Sequence, residues 1–268
     1  MCDSIALGML FFSDLDKTLV YSGYPDQVCV ERSDDKEITY MTPEAIDVFN
    51  DLVSQENVVF IPCTLRSYEQ TIRISILQSL SRQIFICDNG FSIYVNGSLD
   101  KEWDECVQRQ LISYPNKVMH QCLCAYYLQN SSEITRIKSN RDAFTTVIFT
   151  DHVAANKHFR VICDLIDESL YRIELQGRKL YVIPQFLDKS IAVRYLVARY
   201  YNDYIITAGD SSVDELFIKE GTFRIIPKHS SINMEDTIRT SEAGIKAGEI
   251  ILRIALDCCK NSALIFQG

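Results

Sequence analysis

The sequence predicts an α/β fold, a Rossmann-like parallel-sheet core interrupted by an inserted α+β domain. Three observations carry this expectation. Short apolar runs alternate with amphipathic stretches from Leu7 to Cys87, as in a chain that weaves strand, helix and strand. The alternation breaks at Asp88-Asn89-Gly90 into hairpin signals and longer helical stretches. It resumes at Lys189 and continues to a final helix near Ser241 to Lys260. The expected division is a core of residues 1–90 and 185–268 around an insert of residues 91–184.

The elements follow in order. Leu7 to Phe12 is apolar and β-compatible, and reads as a buried strand. Thr42-Pro43-Glu44 opens a helix with a cap residue followed by Pro at the first position, continuing through Ala45, Val48, Phe49 and Leu52. Val58 to Pro62 is a second apolar strand running to Thr64; a helix from about Ser67 to Ser81 and the strand Ile84 to Cys87 follow. Phe91 to Ser98 reads as a strand turning at Asn96-Gly97. One long helix is expected from about Glu102 to Gln129, then a polar loop from Arg136 to Asp142 and a strand from Phe144 to Thr150. A helix near Ala155 to Ser169 and a hairpin from Tyr171 to Ile183 around Gln176-Gly177-Arg178 complete the insert. Lys189 starts an amphipathic helix through Ile191, Val193, Tyr195 and Leu196, and the strand from Tyr204 runs into the acidic loop Gly209 to Asp214.

Composition narrows the class. Hydrophobic residues make up 47% and charged residues 24%, enough for a packed core. A net charge of −9 disfavours nucleic acid as a partner. No uninterrupted apolar stretch approaches the ~18 residues of a membrane span, and the acidic start Met1-Cys2-Asp3-Ser4 argues against a secretory signal. The ten cysteines read as small buried hydrophobes in a reducing, cytoplasmic setting. No pairs stand at zinc-finger spacing and His120, His152, His158 and His229 are scattered, so no structural zinc is expected. A monomer or weak homodimer is anticipated.

The residues that carry chemistry lie at predicted strand ends and a helix start. Asp14-Leu15-Asp16-Lys17-Thr18 puts two carboxylates two positions apart behind the first strand, where an open α/β sheet binds its ligands. Two such carboxylates repel unless a cation lies between them or one is protonated, which suits Mg²⁺ beside a carboxylate nucleophile. Thr64, followed by Leu65, Arg66 and Ser67, ends the second strand; Lys189 starts a helix; Asp210 and Asp214 lie in the late acidic loop. A hydroxyl, an ammonium and further carboxylates are what Mg²⁺-assisted phosphoryl transfer needs.

These four stations resemble motifs one to four of the haloacid dehalogenase (HAD) superfamily of phosphohydrolases, in the family's order, over most of the chain. The resemblance implies a phosphatase in which Asp14 is the nucleophile and Asp16 the general acid and base. By the same likeness Thr64 and Lys189 would hold the phosphoryl group, and Leu65 and Arg66, read from their place behind Thr64, are further candidates to bind the substrate. Asp14, the backbone carbonyl of Asp16, Asp210 and Asp214 would hold Mg²⁺. The insert resembles the class-two, subtype B cap of Cof-type members, which selects a small phosphorylated metabolite such as a sugar phosphate. Within it Arg136 to Asp142 and Gln176 to Lys179, with Arg141 and Arg178, are candidates to reach the substrate. The first two stations also resemble a HAD group associated with bacterial tellurium-resistance and stress gene clusters. Two positions depart from the pattern: Val213 stands where Cof-type members usually carry Asn, and Leu65 where many relatives have Gly or Thr. A phosphomutase on the same aspartyl-phosphate, or a non-catalytic HAD-like binding protein, are the alternatives, and the retention of all four reactive stations favours a hydrolase.

Overall fold

A computed structural model describes residues 8–200 and 204–265. Leu7 and Met1 to Ser4, read above, lie outside the described residues. The first strand is β1 (Met9–Ser13), every residue of it buried. A hairpin follows that the sequence reading passed over, β2 (Val28–Ser33) and β3 (Lys36–Met41). Helix α1 (Pro43–Val53) starts where expected, with the Thr42 hydroxyl accepting from the Ala45 amide at 3.0 Å. After β4 (Val58–Pro62) the expected fifteen-residue helix is absent. The chain makes one turn, α2 (Tyr68–Thr71), and a short 3₁₀ segment at Ser75–Ser79. Between them Ile74 is extended and bridges Glu31, and the β-branched run Thr71, Ile72, Ile74, Ile76 weakens any continuous helix.

Next come β5 (Ile84–Cys87), β6 (Ser92–Val95) and β7 (Ser98–Leu99). The turn between β6 and β7 is made by Asn96 and Gly97, both at positive φ, as a two-residue hairpin loop demands. The single long helix expected from Glu102 is two, α3 (Lys101–Leu111) and α4 (Asn116–Gln129), because Pro115 lacks an N–H and cannot sit inside a helix. Arg136 to Asn140, expected in a polar loop, instead lies in β8 (Ile134–Asn140), paired with β9 (Phe144–Phe149). Only Arg141 and Asp142, both at positive φ, form the turn. Helix α5 (His152–Leu165), capped by the Asp151 carboxylate, leads to the hairpin β10 (Tyr171–Gln176) and β11 (Lys179–Pro184). The chain closes with α6 (Lys189–Tyr200), β12 (Ile205–Ala208), α7 (Glu215–Ile218), β13 (Phe223–Ile226), β14 (Ile238–Arg239) and α8 (Ile245–Ile265).

The chain divides into two units, 1–100 with 188–268, and 101–187. Both boundaries thus lie later in the chain than 90/91 and 184/185, the first because β6 and β7 pair with β5 and stay with the first unit. That unit is built on a parallel sheet in the order β14-β13-β12-β1-β4. β5, expected as a further parallel strand, touches it by one parallel bridge, Cys63 to Ile86, and otherwise pairs antiparallel with β6. Met9 and Phe11 of β1 pack with Phe60, Phe49 of α1 and Ile251, Leu252 and Ala255 of α8, while Leu10 and Phe12 are buried on the opposite face. Burial on both faces is why β1 reads as an unbroken apolar run. Phe60 meets Phe11 and Phe49 edge-on, with ring centroids 5.3 and 5.1 Å apart. The second unit is an antiparallel sheet, β10-β11-β9-β8, with its own core of Leu123, Ile134, Val147, Phe149, Ile162 and Val182. Its buried histidine, His158, is bonded to the Tyr126 hydroxyl at 2.6 Å and Glu133 at 2.7 Å. Among the described residues no helix is long and apolar enough to cross a membrane.

Candidate active site

The parallel ladder delivers the first carboxylate. The Asp14 amide donates to Ala208 O, and the Cys63 amide to Ser13 O, both at 2.8 Å, so Asp14 leaves β1 between the ends of β4 and β12. Its carboxylate meets the Lys189 ammonium, which donates to Asp14 Oδ1 and to Asp214 Oδ1 at 2.6 Å each. Lys189 is 1% exposed, and its Nζ lies 5.3 Å from the Phe217 ring centroid. Asp214 is held in turn: its Oδ2 accepts from the amides of Asp210 and Ser211 and from the Ser211 hydroxyl, all at 3.1 Å. This wrapping requires Gly209, where a Cβ would stand 2.6 Å from the Asp214 Cβ. Gly90, at φ +89°, has the same role beside Lys189, since a Cβ there would lie 2.4 Å from the Asp188 carbonyl oxygen.

Asp14, Asp210 and Asp214 each present a carboxylate oxygen within 4.8 Å of the others. Burial pushes the Asp14 carboxyl well above its usual range, Lys189 offsetting only part of the effect and Asp214 and Asp210 adding to it. Asp210 is pushed up to about 7, first by burial and then by the Asp214 charge. Burial opposes the charge on Lys189, yet Asp14 and Asp214 outweigh it and hold the ammonium protonated. Asp14 and Asp214 thus share the Lys189 ammonium, Asp210 is opposed only through space by Lys17 and Lys189, and the remaining deficit is what a divalent cation would neutralise. The donors are all oxygen, which fits Mg²⁺.

The remaining expected residues are placed as follows. Thr64 is buried and its hydroxyl accepts from the Arg66 amide at 3.1 Å. Leu65, half-buried, has only its main chain to offer polar ligands. The Asp16 carboxylate is outside the acidic cluster, its side chain 52% exposed. Arg66, expected to contact substrate, is occupied here: Nε and Nη2 donate to the two Asp16 oxygens and Nη1 to Glu31, each at 2.7 Å. Lys17 adopts φ +60° and its carbonyl accepts from His229 Nε2 at 2.9 Å, while Nδ1 accepts from the Gly244 amide at 3.2 Å, which fixes the proton on Nε2. The sequence reading missed both Glu31 and His229. The register slips on either side of Glu31 break the alternation that could have marked the first, and nothing in the sequence ties His229 to Lys17.

The sequence matches the family described as sucrose-6F-phosphate phosphohydrolase over residues 7–239. The fold is similar to the sucrose-phosphatase of Synechocystis sp. PCC6803, solved with sucrose and phosphate: TM-score 0.65, 15% identity, covering 93% of this chain and 98% of that one. The C-terminal domain of C. albicans trehalose-6-phosphate phosphatase gives a TM-score of 0.64 at 11% identity, covering 93% and 92% of the two chains. A HAD-superfamily phosphatase from Bacteroides thetaiotaomicron gives 0.60 at 11% identity, covering 93% and 95%. No curated protein matches the sequence. The family match takes in every station from Asp14 to Asp214, and the chain belongs to the sucrose-6F-phosphate phosphohydrolase family, a family of phosphoric monoester hydrolases.

Proposed function

We propose that the protein hydrolyses the phosphomonoester of a small phosphorylated sugar through an aspartyl-phosphate on Asp14, with Mg²⁺ bound. The observation that carries this reading is Asp14 at the end of β1, bonded to the buried Lys189 and within reach of Asp210 and Asp214. Asp14 Oδ attacks phosphorus and the bond to the leaving oxygen breaks, Asp16 giving that oxygen its proton. Water then attacks the phosphorylated Asp14, Asp16 takes the water's proton, and inorganic phosphate leaves. Lys189 and Thr64 hold the phosphoryl oxygens. Mg²⁺, held by Asp14, Asp210 and Asp214, would supply positive charge against the dianionic phosphoryl group. Residues 101–187, an antiparallel sheet carrying helices, fit a class-two, subtype B cap that selects the sugar and excludes water. The described cysteines are free, which accords with the reducing cytoplasm we assign it to.

The test is chemical trapping. Rapid quench of the wild type with an aryl phosphate and Mg²⁺ should give an acid-stable, hydroxylamine-labile phosphoenzyme, and Asp14→Asn should give none. An Asp14→Asn variant retaining more than about a hundredth of the wild-type rate would rule out the nucleophile assignment. A panel of phosphorylated sugars then identifies the ester.

A further inference from the structure

Glu31 is a buried carboxylate that the reaction as described does not use. It lies on β2 where the pairing with β3 slips on either side of it, Cys29 opposing Tyr40, Glu31 opposing Thr39 and Arg32 opposing Glu37. Such irregularities re-aim side chains, and the Glu31 side chain is fully buried. Its backbone also bridges Ile74, which anchors the hairpin beside the turn that follows Thr64. Four hydrogen bonds reach the carboxylate. Arg66 Nη1 donates to Oε2 at 2.7 Å, Arg73 Nη2 and Nε to Oε1 at 2.9 and 3.2 Å, and the Thr39 hydroxyl to Oε2 at 3.2 Å.

Arg66 is therefore shared between two carboxylates of opposite surroundings, buried Glu31 and half-exposed Asp16. The pair with Asp16 is bidentate, so both Asp16 oxygens accept hydrogen bonds here and neither is presented as a proton donor. For Asp16 to serve a leaving oxygen, this pair has to open. When it opens, a guanidinium whose side chain is only 12% exposed loses a partner, which is unfavourable unless another carboxylate holds it. Glu31 is placed to do that, and Arg73 sets how much of Glu31 is left for Arg66.

We propose that Glu31 is a positioning residue for the hydrolysis: it holds Arg66 in place and so lets Asp16 leave its ion pair during the cycle. The inference rests on the acid–base role assigned to Asp16. Two opposed predictions follow. Without the Glu31 charge, Asp16 is held more tightly by Arg66 and is released less readily, which slows phosphoenzyme formation only where the leaving oxygen needs a proton. Without Arg73, Glu31 binds Arg66 fully and Asp16 is released more readily.

The experiment compares kcat/KM, which ends at formation of the phosphoenzyme and so omits the later attack of water, on phenyl phosphate, a poor leaving group that needs the acid, with that on dinitrophenyl phosphate, which departs without it. Wild type, Glu31→Gln, Arg73→Gln and Asp16→Asn are assayed with Mg²⁺, each with its thermal unfolding curve. Glu31→Gln is expected to lose about tenfold more on phenyl than on dinitrophenyl phosphate, within the range of one acid–base contribution. Arg73→Gln should move the same ratio the other way. If Glu31→Gln does not unfold cooperatively, the partly exposed Arg73→Gln decides alone. Equal losses on both esters, as a scaffold defect gives, or ratios moving in the same direction, overturn the proposal. Asp16→Asn separates the two levels. If it shows no dependence on the leaving group, the acid–base reading fails and takes this inference with it. If it shows the dependence while the other variants leave the ratio unchanged, the inference alone fails.

Discussion

Replacing Lys189 with Met tests the electrostatics of the site without disturbing its packing. Methionine keeps a long flexible stem beside Phe217 and leaves little cavity, so the change is confined to one buried charge. That charge donates at 2.6 Å to two carboxylates, Asp14 and Asp214, and Asp210 stands within 4.8 Å of both. Removing one partner of a buried ion pair typically costs about 3–5 kcal/mol, because the other is left uncompensated. For a chain of this size that is a fall of roughly 6–20 °C in the melting temperature of the catalytic unit. The loss should be largest near pH 8 and shrink near pH 5, where Asp14 and Asp210, both already raised, take up protons instead. Thermal and urea unfolding of the metal-free protein at both pH values measure it. Adding Asp214→Asn in the same chain should recover a substantial part, since the two substitutions share one interaction. A Lys189→Met protein within about 1 kcal/mol of wild type at pH 8 would show that the ammonium does not compensate the cluster, and the argument for a charge deficit would fall with it.

Three further outcomes are expected. Asp210 rises from 3.8 to about 7 on folding, so its contribution to stability is complete below about pH 4 and lost as pH rises through 7. Metal-free protein should therefore be less stable at pH 8 than at pH 5, and Mg²⁺ should raise the melting temperature more at pH 8; an equal Mg²⁺ effect at both would contradict this. Gly90→Ala places a Cβ 2.4 Å from Asp188 O at φ +89° and should cost about 1–3 kcal/mol of strain together with much of kcat, whereas an unchanged melting curve and rate would show the turn can give way. Arg178→Gln, in the turn between β10 and β11, should raise KM for the best sugar phosphate while sparing kcat/KM on a small aryl phosphate; parallel losses on both would trace to folding.

The sequence made the strand-end chemistry legible because burial on both faces leaves parallel strands as unbroken apolar runs, against which Asp14, Thr64 and Asp210 stand out. Asn96-Gly97 and the Thr42-Pro43 start were equally readable, each being a local rule with a local cause. What escaped was set by tertiary pairing. β8 is an edge strand whose Arg136, Lys138 and Ser139 look like a loop until Ile137 is seen opposite Val147. The slips around Glu31 disturb the period-two signal of β2, hiding both the hairpin and the buried carboxylate. Ile74 leaves the helical path to bridge that hairpin; the β-branched run around it weakens a helix but does not announce the partner. Pro115 was the exception, a break written plainly in the sequence and overridden by the apolar periodicity around it.

The order of strands in the catalytic sheet has a consequence for how the protein is made. β1 emerges first from the ribosome, but Leu10 pairs with Ile205, and the Asp14 amide waits for Ala208. Residues 101–187, by contrast, contain all four strands of their own sheet and a separate apolar cluster. During synthesis this segment can become ordered while β1 still lacks β12, one of its two neighbours. One edge of the apolar strand that carries the nucleophile thus stays unpaired until residues 205–208 are made, and unpaired edges are prone to misassociate. Closure of the sheet, and with it the arrival of Lys189, Asp210 and Asp214 beside Asp14, waits until residues 189–214 have been made, so shorter nascent chains hold no complete site.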